Sequence, residues 1–149
     1  MLYFDTSFVV PLILREQTSA SIAEYVAGLP AGRLFTSHWT RVEFSSALGV
    51  RVRIGRLKPS DAVEAEKELE RILDESFSIL SAAPDMFERA REFLSHHQLG
   101  LRAGDALHLA IASNHRAETI YSLDKTMLKA GKSLGIPLSS GIRLAGYAH

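Results

Sequence analysis

Short apolar segments alternate with longer helical segments along the whole chain, and this alternation restricts the possible folds more than any other feature. The apolar segments are the predicted strands Leu2–Phe4, Arg33–Ser37, Phe77–Leu80, Thr119–Leu123 and Ile136–Leu138. Strands that alternate with helices form a parallel sheet that is covered on both faces. We therefore predict an α/β fold, a three-layer α/β/α sandwich with a central, mainly parallel sheet. A length of 149 residues predicts one domain over residues 1–149.

Helix boundaries follow from capping residues, Gly and Pro. The predicted helices are Phe8–Leu14, Thr18–Leu29, Thr40–Ile54, Pro59–Glu75, Pro84–His97, Ala106–His115 and Asp124–Leu134, with a loop over Leu99–Ala103. Apolar positions of the segment after Pro59 follow the 3.6-residue period of a helix.

Composition excludes several classes of protein. The chain is 46% apolar and 23% charged, with no cysteine, so neither a disulfide scaffold nor a thiolate metal site is expected. No apolar run approaches the roughly 18 residues of a membrane span. The N-terminus lacks the basic lead of a signal peptide. We expect a cytoplasmic protein that has no membrane partner.

The net charge is zero, but the charges are unevenly distributed. Residues 59–75 hold seven acids and two bases, which leaves 15 bases and 10 acids elsewhere. A positive working face is therefore possible, although the acids can also be the solvated side of one helix. Five bases near the proposed crevice are candidates for binding an RNA backbone or simply for solvation: Arg15, Arg41, Arg102, Lys125 and Lys129.

Four acids stand where a predicted strand ends or a predicted helix begins: Asp5, Glu43, Asp105 and Asp124. Each is flanked by apolar residues, and an ionised carboxylate near a core is costly unless a cation meets it. Each also has a local explanation, because Asp is a favoured N-cap and Thr40-Arg41-Val42-Glu43 matches a capping box. Taken singly, each acid is better explained as a helix cap than as a metal ligand. Together they favour convergence on a metal ion, and both roles can coexist at one carboxylate.

The expected position of the acids is compatible with such a site. In an open parallel sheet, ligands bind beyond the carboxyl ends of the strands. Asp5 and Asp124 follow predicted strands, and the other two acids lie near helix starts, so all four can face one crevice. Carboxylate oxygens suit Mg²⁺. Ser7, two residues after Asp5, could hold a carboxylate or a water.

Four segments carry a resemblance to a known family: Leu2-Tyr3-Phe4-Asp5-Thr6-Ser7, Arg41-Val42-Glu43-Phe44, Gly104-Asp105-Ala106-Leu107-His108-Leu109-Ala110 and Ser122-Leu123-Asp124. In order and spacing they resemble the signature segments of the PIN-domain ribonucleases, over nearly the whole chain. By length and layout the chain is most similar to the VapC-type toxins of toxin–antitoxin pairs. Each motif alone is short and weak, but the ordered set is specific.

The resemblance implies a metal-dependent endoribonuclease that hydrolyses RNA phosphodiester bonds. It implies that Asp5, Glu43, Asp105 and Asp124 are catalytic and bind Mg²⁺ or Mn²⁺. It further implies a growth-inhibiting toxin with a cognate antitoxin protein, and a homodimer. The family often has Thr in place of Ser122 and an aromatic residue in place of Met127, so Asp124 is either a direct ligand or acts through a water.

Three further interpretations remain open. His108 can face the crevice, although its apolar neighbours favour a packed core histidine. The helical arm from Thr40 to Glu75 can carry a dimer contact, a groove for an antitoxin helix, or ordinary core packing. The alternative functions are a catalytically inactive PIN-like module that binds RNA or protein, and a magnesium-dependent phosphatase or receiver domain. The phosphatase or receiver alternative lacks support, because Ser7 stands where the phosphatase pattern has a second Asp.

Overall fold

Five strands and seven α-helices alternate along residues 1–147, the part of the chain that the computed structural model describes. The predicted domain end at residue 149 lies outside these residues. The strands are β1 (Leu2–Phe4), β2 (Leu34–Ser37), β3 (Ser78–Leu80), β4 (Thr119–Tyr121) and β5 (Leu138–Ser139). The helices are α1 (Thr6–Val9), α2 (Ser19–Ala27), α3 (His38–Arg53), α4 (Pro59–Ser76), α5 (Pro84–Leu94), α6 (Ala103–Asn114) and α7 (Lys125–Leu134).

All five strands form one parallel sheet in the order β3-β2-β1-β4-β5. The first strand is central, since Leu2 pairs with Leu34 on one side and with Thr119 on the other. The chain builds outward from β1 to β3 and then returns to β4 beside β1. Such a reversal of strand order opens a crevice at the carboxyl ends of the two central strands.

Alternate residues of the central strands face two separate cores, as a side-chain period of two requires. Phe4 and Tyr121 stack on each other, with ring centroids 4.8 Å apart, in the core that α1 to α4 cover. Tyr3 and Ile120 face the opposite core, which α5, α6 and α7 cover. The predicted three-layer α/β/α sandwich is therefore confirmed. Within the described residues, every helix is too short or too polar to cross a membrane.

Several predicted helix boundaries were wrong, for local reasons. The predicted helix Phe8–Leu14 is instead α1 followed by a 3₁₀ turn over Val10–Leu12, since Pro11 cannot donate a backbone hydrogen bond. The helix predicted to end at His97 ends at Leu94, and a 3₁₀ turn over His97–Leu99 follows it.

Candidate functional site

Asp5 directly follows β1 and is the N-cap of α1, as the sequence predicts. Its side chain is buried, with 3% of the residue exposed. The carboxylate Oδ1 accepts hydrogen bonds from the Phe8 N–H at 3.2 Å and from the Ser7 hydroxyl at 2.5 Å. Burial raises the pKa of Asp5, and nearby His108 together with these donors opposes the rise. The predicted contact of Ser7 with a carboxylate is confirmed.

Asp124 lies three residues after the end of β4, beyond Ser122 and Leu123. It is the N-cap of α7 and accepts the Met127 N–H at 3.1 Å. The loop is tied to β1, because the Ser7 Oγ accepts the Leu123 N–H at 2.8 Å and lies 3.3 Å from the Ser122 Oγ. The ends of the two central strands are therefore held together by serine hydroxyls, and Asp5 and Asp124 lie on either side of them.

Glu43 does not cap α3, so the predicted capping box was wrong. The helix begins at His38, two residues before Thr40, because the chain turns into it directly from β2. The Thr40 hydroxyl is buried and lies 2.7 Å from the Thr36 hydroxyl instead. Glu43 is consequently free of the helix end and projects from its second turn.

The Glu43 carboxylate is held by two side chains from other elements. Its Oε1 accepts the Thr6 hydroxyl at 2.6 Å and lies 2.5 Å from the His108 Nε2. Burial alone would raise the pKa of Glu43, but the contacts with His108 and Thr6 outweigh burial and lower it. Glu43 is therefore an ionised carboxylate in a fixed position.

Asp105 is the third residue of α6 and not its N-cap, which corrects the prediction. The helix begins earlier because its start includes Ala103 and Gly104, and Asp105 accepts the Arg102 backbone N–H at 3.4 Å. The pKa of Asp105 is raised, first by burial, then by the negative charge of Asp124, and to a smaller extent by Glu43. The negative charges of Asp124 and Glu43 thus both oppose the ionisation of Asp105.

A cationic side chain lies among these acids. The Arg102 guanidinium donates to the Asp124 Oδ2 at 3.4 Å, and its Nε lies 3.7 Å from the Asp105 Oδ2. Arg102 is 81% exposed, so its long side chain spans the mouth of the crevice from the solvent side. Two carboxylates that already share one cation form a suitable donor set for a hard divalent ion.

The acids do not form a closed ligand cage as they stand. Within residues 1–147, no group of three or more His, Asp or Glu side chains is arranged to hold a metal ion. The oxygen chemistry, the mutual repulsion and the shared Arg102 cation nevertheless fit Mg²⁺ or Mn²⁺. Mg²⁺ characteristically keeps several waters and needs only one or two direct carboxylates.

Three residues of the site lie within the quoted segments but were not among the four predicted site residues. Thr6 follows Asp5 and is the hydroxyl donor to Glu43. Gly104 leaves space for that carboxylate, since a Cβ there would lie 2.6 Å from the Glu43 Oε2. His108 is buried, as its apolar neighbours predict, yet it also contacts Glu43. The signal for His108 was its spacing of three residues from Asp105, which places the two side chains near each other on α6. The sequence gives no comparable signal for Gly104.

The other predicted RNA-binding bases are more dispersed. Arg41 pairs with Glu70 at 2.8 Å, and the Lys125 Nζ donates to the Ala145 carbonyl at 2.6 Å. Arg15 lines a groove beside α2. Among the five, Arg102 is the base that contacts two of the acids.

A parallel α/β sandwich with acids near the carboxyl ends of its central strands defines a class of α/β proteins with an acidic crevice at one edge of the sheet. The chain belongs to the PIN domain family, whose members are typically nucleases, and the family model matches residues 2–133. That range contains all four acids.

Solved structures share this fold at low sequence identity. VapC20 of Mycobacterium tuberculosis, described as a sarcin–ricin loop cleaving toxin, is 22% identical, with a TM-score of 0.70 over 88% of this chain and 95% of that one. VapBC-1 from nontypeable Haemophilus influenzae is 15% identical, with a TM-score of 0.68 over 95% and 98%. PAE2754 from Pyrobaculum aerophilum is 20% identical, with a TM-score of 0.65 over 92% and 87%. No curated protein matches the chain.

Proposed function

We propose that the protein is a divalent-metal-dependent endoribonuclease and the toxin of a toxin–antitoxin module. Asp5, Glu43, Asp105 and Asp124 are its catalytic and metal-ligating residues. The observation that carries this proposal is the grouping of acids at one sheet edge, where burial, then the charge of Asp124 and to a smaller extent that of Glu43 raise the pKa of Asp105. Such repulsion is relieved by a bound cation, which is Mg²⁺ or Mn²⁺ in this proposal.

The chemistry supplied by the cation is easier deprotonation of water and compensation of charge on the phosphate oxygens. The residues of the chain supply the fixed geometry. Ser7 and the Phe8 N–H hold Asp5, and Thr6 holds Glu43. Side chains that are already oriented need little reorganisation as charge develops in the transition state.

Substrate binding rests on the exposed cation at the mouth of the crevice. The ion pair of Arg102 with Asp124 is weak because the arginine is exposed, so its guanidinium is able to bind a phosphate oxygen instead. A cationic side chain at this position favours a polyanion such as RNA. VapC20, which shares the fold, is described as cleaving the sarcin–ricin loop, so RNA is the substrate class that we propose.

The proposed partners are a cognate antitoxin and a second copy of the chain. The VapBC structures with this fold support an antitoxin. The arm formed by α3 and α4 carries four exposed apolar side chains that suit such contacts: Val42, Val50, Ile54 and Val63. A cytoplasmic location and a single domain over residues 1–149 complete the proposal.

A metal titration tests the catalytic part of this proposal. Protein stripped with a chelator is mixed with fluorescently labelled single-stranded RNA, and cleavage is followed as Mn²⁺ or Mg²⁺ is added. We expect cleavage that rises with metal and is lost in Asp105→Asn, whereas Asp85→Asn, an acid of the first turn of α5, cleaves like wild type. RNA that is bound but never cut, at any metal concentration, contradicts the nuclease and favours an inactive binding module.

A further inference from the structure

His108 has polar partners at both ring nitrogens, although it lies in the middle of an apolar helix and is 2% exposed. Its Nδ1 lies 2.7 Å from the Tyr3 hydroxyl. Its Nε2 lies 2.5 Å from the Glu43 Oε1 and 3.1 Å from the Thr6 hydroxyl. Tyr3 is itself fully buried, and its hydroxyl oxygen also lies 2.9 Å from the Ser37 Oγ. A continuous polar path therefore runs from β2 through the core to the acid.

The direction of the contact with Glu43 follows from counting protons. The Glu43 Oε1 already accepts the Thr6 hydroxyl, and an ionised carboxylate has no proton to give. A ring nitrogen 2.5 Å from that oxygen must therefore bear the proton. The His108 Nε2–H donates to Glu43, and the Tyr3 hydroxyl contacts the other ring nitrogen, Nδ1.

Core packing alone does not account for this arrangement. The residues next to His108, Leu107 and Leu109, are buried and apolar, and Leu at position 108 would fill similar space without polar groups to satisfy. A buried polar network destabilises the protein unless each member finds a partner. The partners of His108 are complete, and one of them is a residue of the proposed site.

We propose that His108 is a positioning residue, which holds the Glu43 carboxylate through its Nε2–H while Tyr3 fixes the orientation of the ring. This inference rests on the proposed function, since it treats Glu43 as a metal-ligating residue. Residues that hydrogen-bond to metal ligands typically change metal affinity about 10- to 100-fold when they are replaced. His108 acts in this way through Glu43 and does not itself touch the substrate.

Two amide variants separate positioning from packing. The Gln amide reaches the place of Nε2, whereas the Asn amide reaches only the place of Nδ1. Both remove the same aromatic ring from the same buried space, so a purely structural role predicts similar losses. We expect His108→Gln to keep most of the Mn²⁺ affinity of the full-length protein, and His108→Asn to lose about 10- to 100-fold, measured by calorimetry with Mn²⁺ alone.

A second histidine of the same region provides the control. At the C-cap of α6, the His115 Nε2 is buried and has no hydrogen-bond partner within residues 1–147, so His115→Gln should bind Mn²⁺ like wild type. Equal losses of affinity in His108→Gln and His108→Asn, in step with equal losses of thermal stability, overturn the positioning role.

A measurement without metal separates this inference from the proposed function. In ¹⁵N-histidine-labelled wild-type protein, long-range ¹H–¹⁵N spectra report which ring nitrogens bear protons. We expect a protonated Nε2 at His108, and an Nε2 without a proton overturns the inference. If wild-type protein binds no Mn²⁺, the proposed function fails, and the spectra still decide whether His108 donates to Glu43.

Discussion

The Arg102 guanidinium donates to the Asp124 carboxylate across 3.4 Å and so joins the residue before α6 to the N-cap of α7. An ion pair with a partner that is 81% exposed contributes little to stability. The effect of this ion pair is electrostatic, because it places the positive charge of Arg102 beside the acids of the crevice. The arginine is therefore both a resident counter-ion and a competitor of any cation that binds there.

Removing this charge should strengthen metal binding and weaken RNA binding. We expect Arg102→Met to raise Mn²⁺ affinity about fivefold, since two unit charges 4 Å apart in water interact by about 1 kcal/mol. The slope of the logarithm of RNA affinity against the logarithm of salt concentration should become shallower by about one unit, as expected for the loss of one phosphate contact. Calorimetry with Mn²⁺ and RNA binding at several salt concentrations measure both. Lys132→Met, in the last turn of α7, is the control. Unchanged Mn²⁺ affinity would show that Arg102 does not compete for the site.

Asp5→Asn should preserve the fold and abolish cleavage. The amide oxygen can still accept the Phe8 N–H, and Asn and Asp are similar as N-caps. Burial already raises the pKa of Asp5, so a neutral side chain is well tolerated there. We expect a change in the free energy of unfolding below about 1 kcal/mol, measured with urea, and no detectable RNA cleavage. Cleavage at the wild-type rate would exclude Asp5 as an essential ligand.

Asp105 should make the metal-free protein less stable as pH rises. Its pKa is raised by burial and by the charges of Asp124 and Glu43, so the folded state binds the proton more tightly than the unfolded state. Proton binding to Asp105 stabilises the folded state. This contribution is complete below the ordinary pKa of 3.8 and is lost as pH rises through the raised pKa of Asp105. Metal-free Asp105→Asn should therefore be more stable than wild type at pH 7, with a difference that disappears near pH 3.

Urea unfolding in the presence of a chelator checks this sign. Asp74→Asn provides the control, since it removes an exposed carboxylate of α4 that is not one of the four acids. A loss of stability in Asp105→Asn at pH 7 contradicts the repulsion among the acids. Adding Mn²⁺ should reverse the order, because wild type binds the ion more tightly.

Gly104→Ala should separate activity from stability. The new Cβ would lie 2.6 Å from the Glu43 Oε2 and 3.3 Å from the Trp39 Nε1, so the carboxylate must move. Alanine also favours the helix over glycine by about 0.5–1 kcal/mol, which offsets much of the strain in the measured stability. We expect Mn²⁺ affinity to fall about tenfold with nearly unchanged thermal stability.

The matched control for that variant is Gly49→Ala, in the middle of α3. There a Cβ would meet only the mobile Arg53 guanidinium, at 3.1 Å. Helix stabilisation without a loss of metal affinity is the expected result. A Gly104→Ala variant that binds Mn²⁺ like wild type would show that the position of Glu43 is not critical.

The two central strands and the N-caps Asp5 and Asp124 were predictable because their signals are local. Apolar runs give β1 and β4, and the acids that follow them cap the next helices as Asp normally does. The capping box at Thr40 failed because its four-residue pattern ignores the preceding strand. The chain enters α3 directly from β2. The Thr40 hydroxyl, which the pattern assigns to capping, contacts the Thr36 hydroxyl instead.

The role of His108 lay beyond local signals. Its neighbours predict burial, and burial is what the structure has. Its partner Glu43 is 65 positions away, on a helix from the opposite layer of the sandwich. A single sequence indicates which face of a helix is apolar, but not which distant side chain meets a polar residue on that face.

The pairing of β1 with β4 has a consequence for biosynthesis. In chain order, β2 and β3 lie between β1 and its partner β4, and therefore also between Asp5 and Asp124. A nascent polypeptide carries Asp5 well before the strand that forms the other side of the crevice. The crevice between these two acids can therefore form only after β4 has been synthesised.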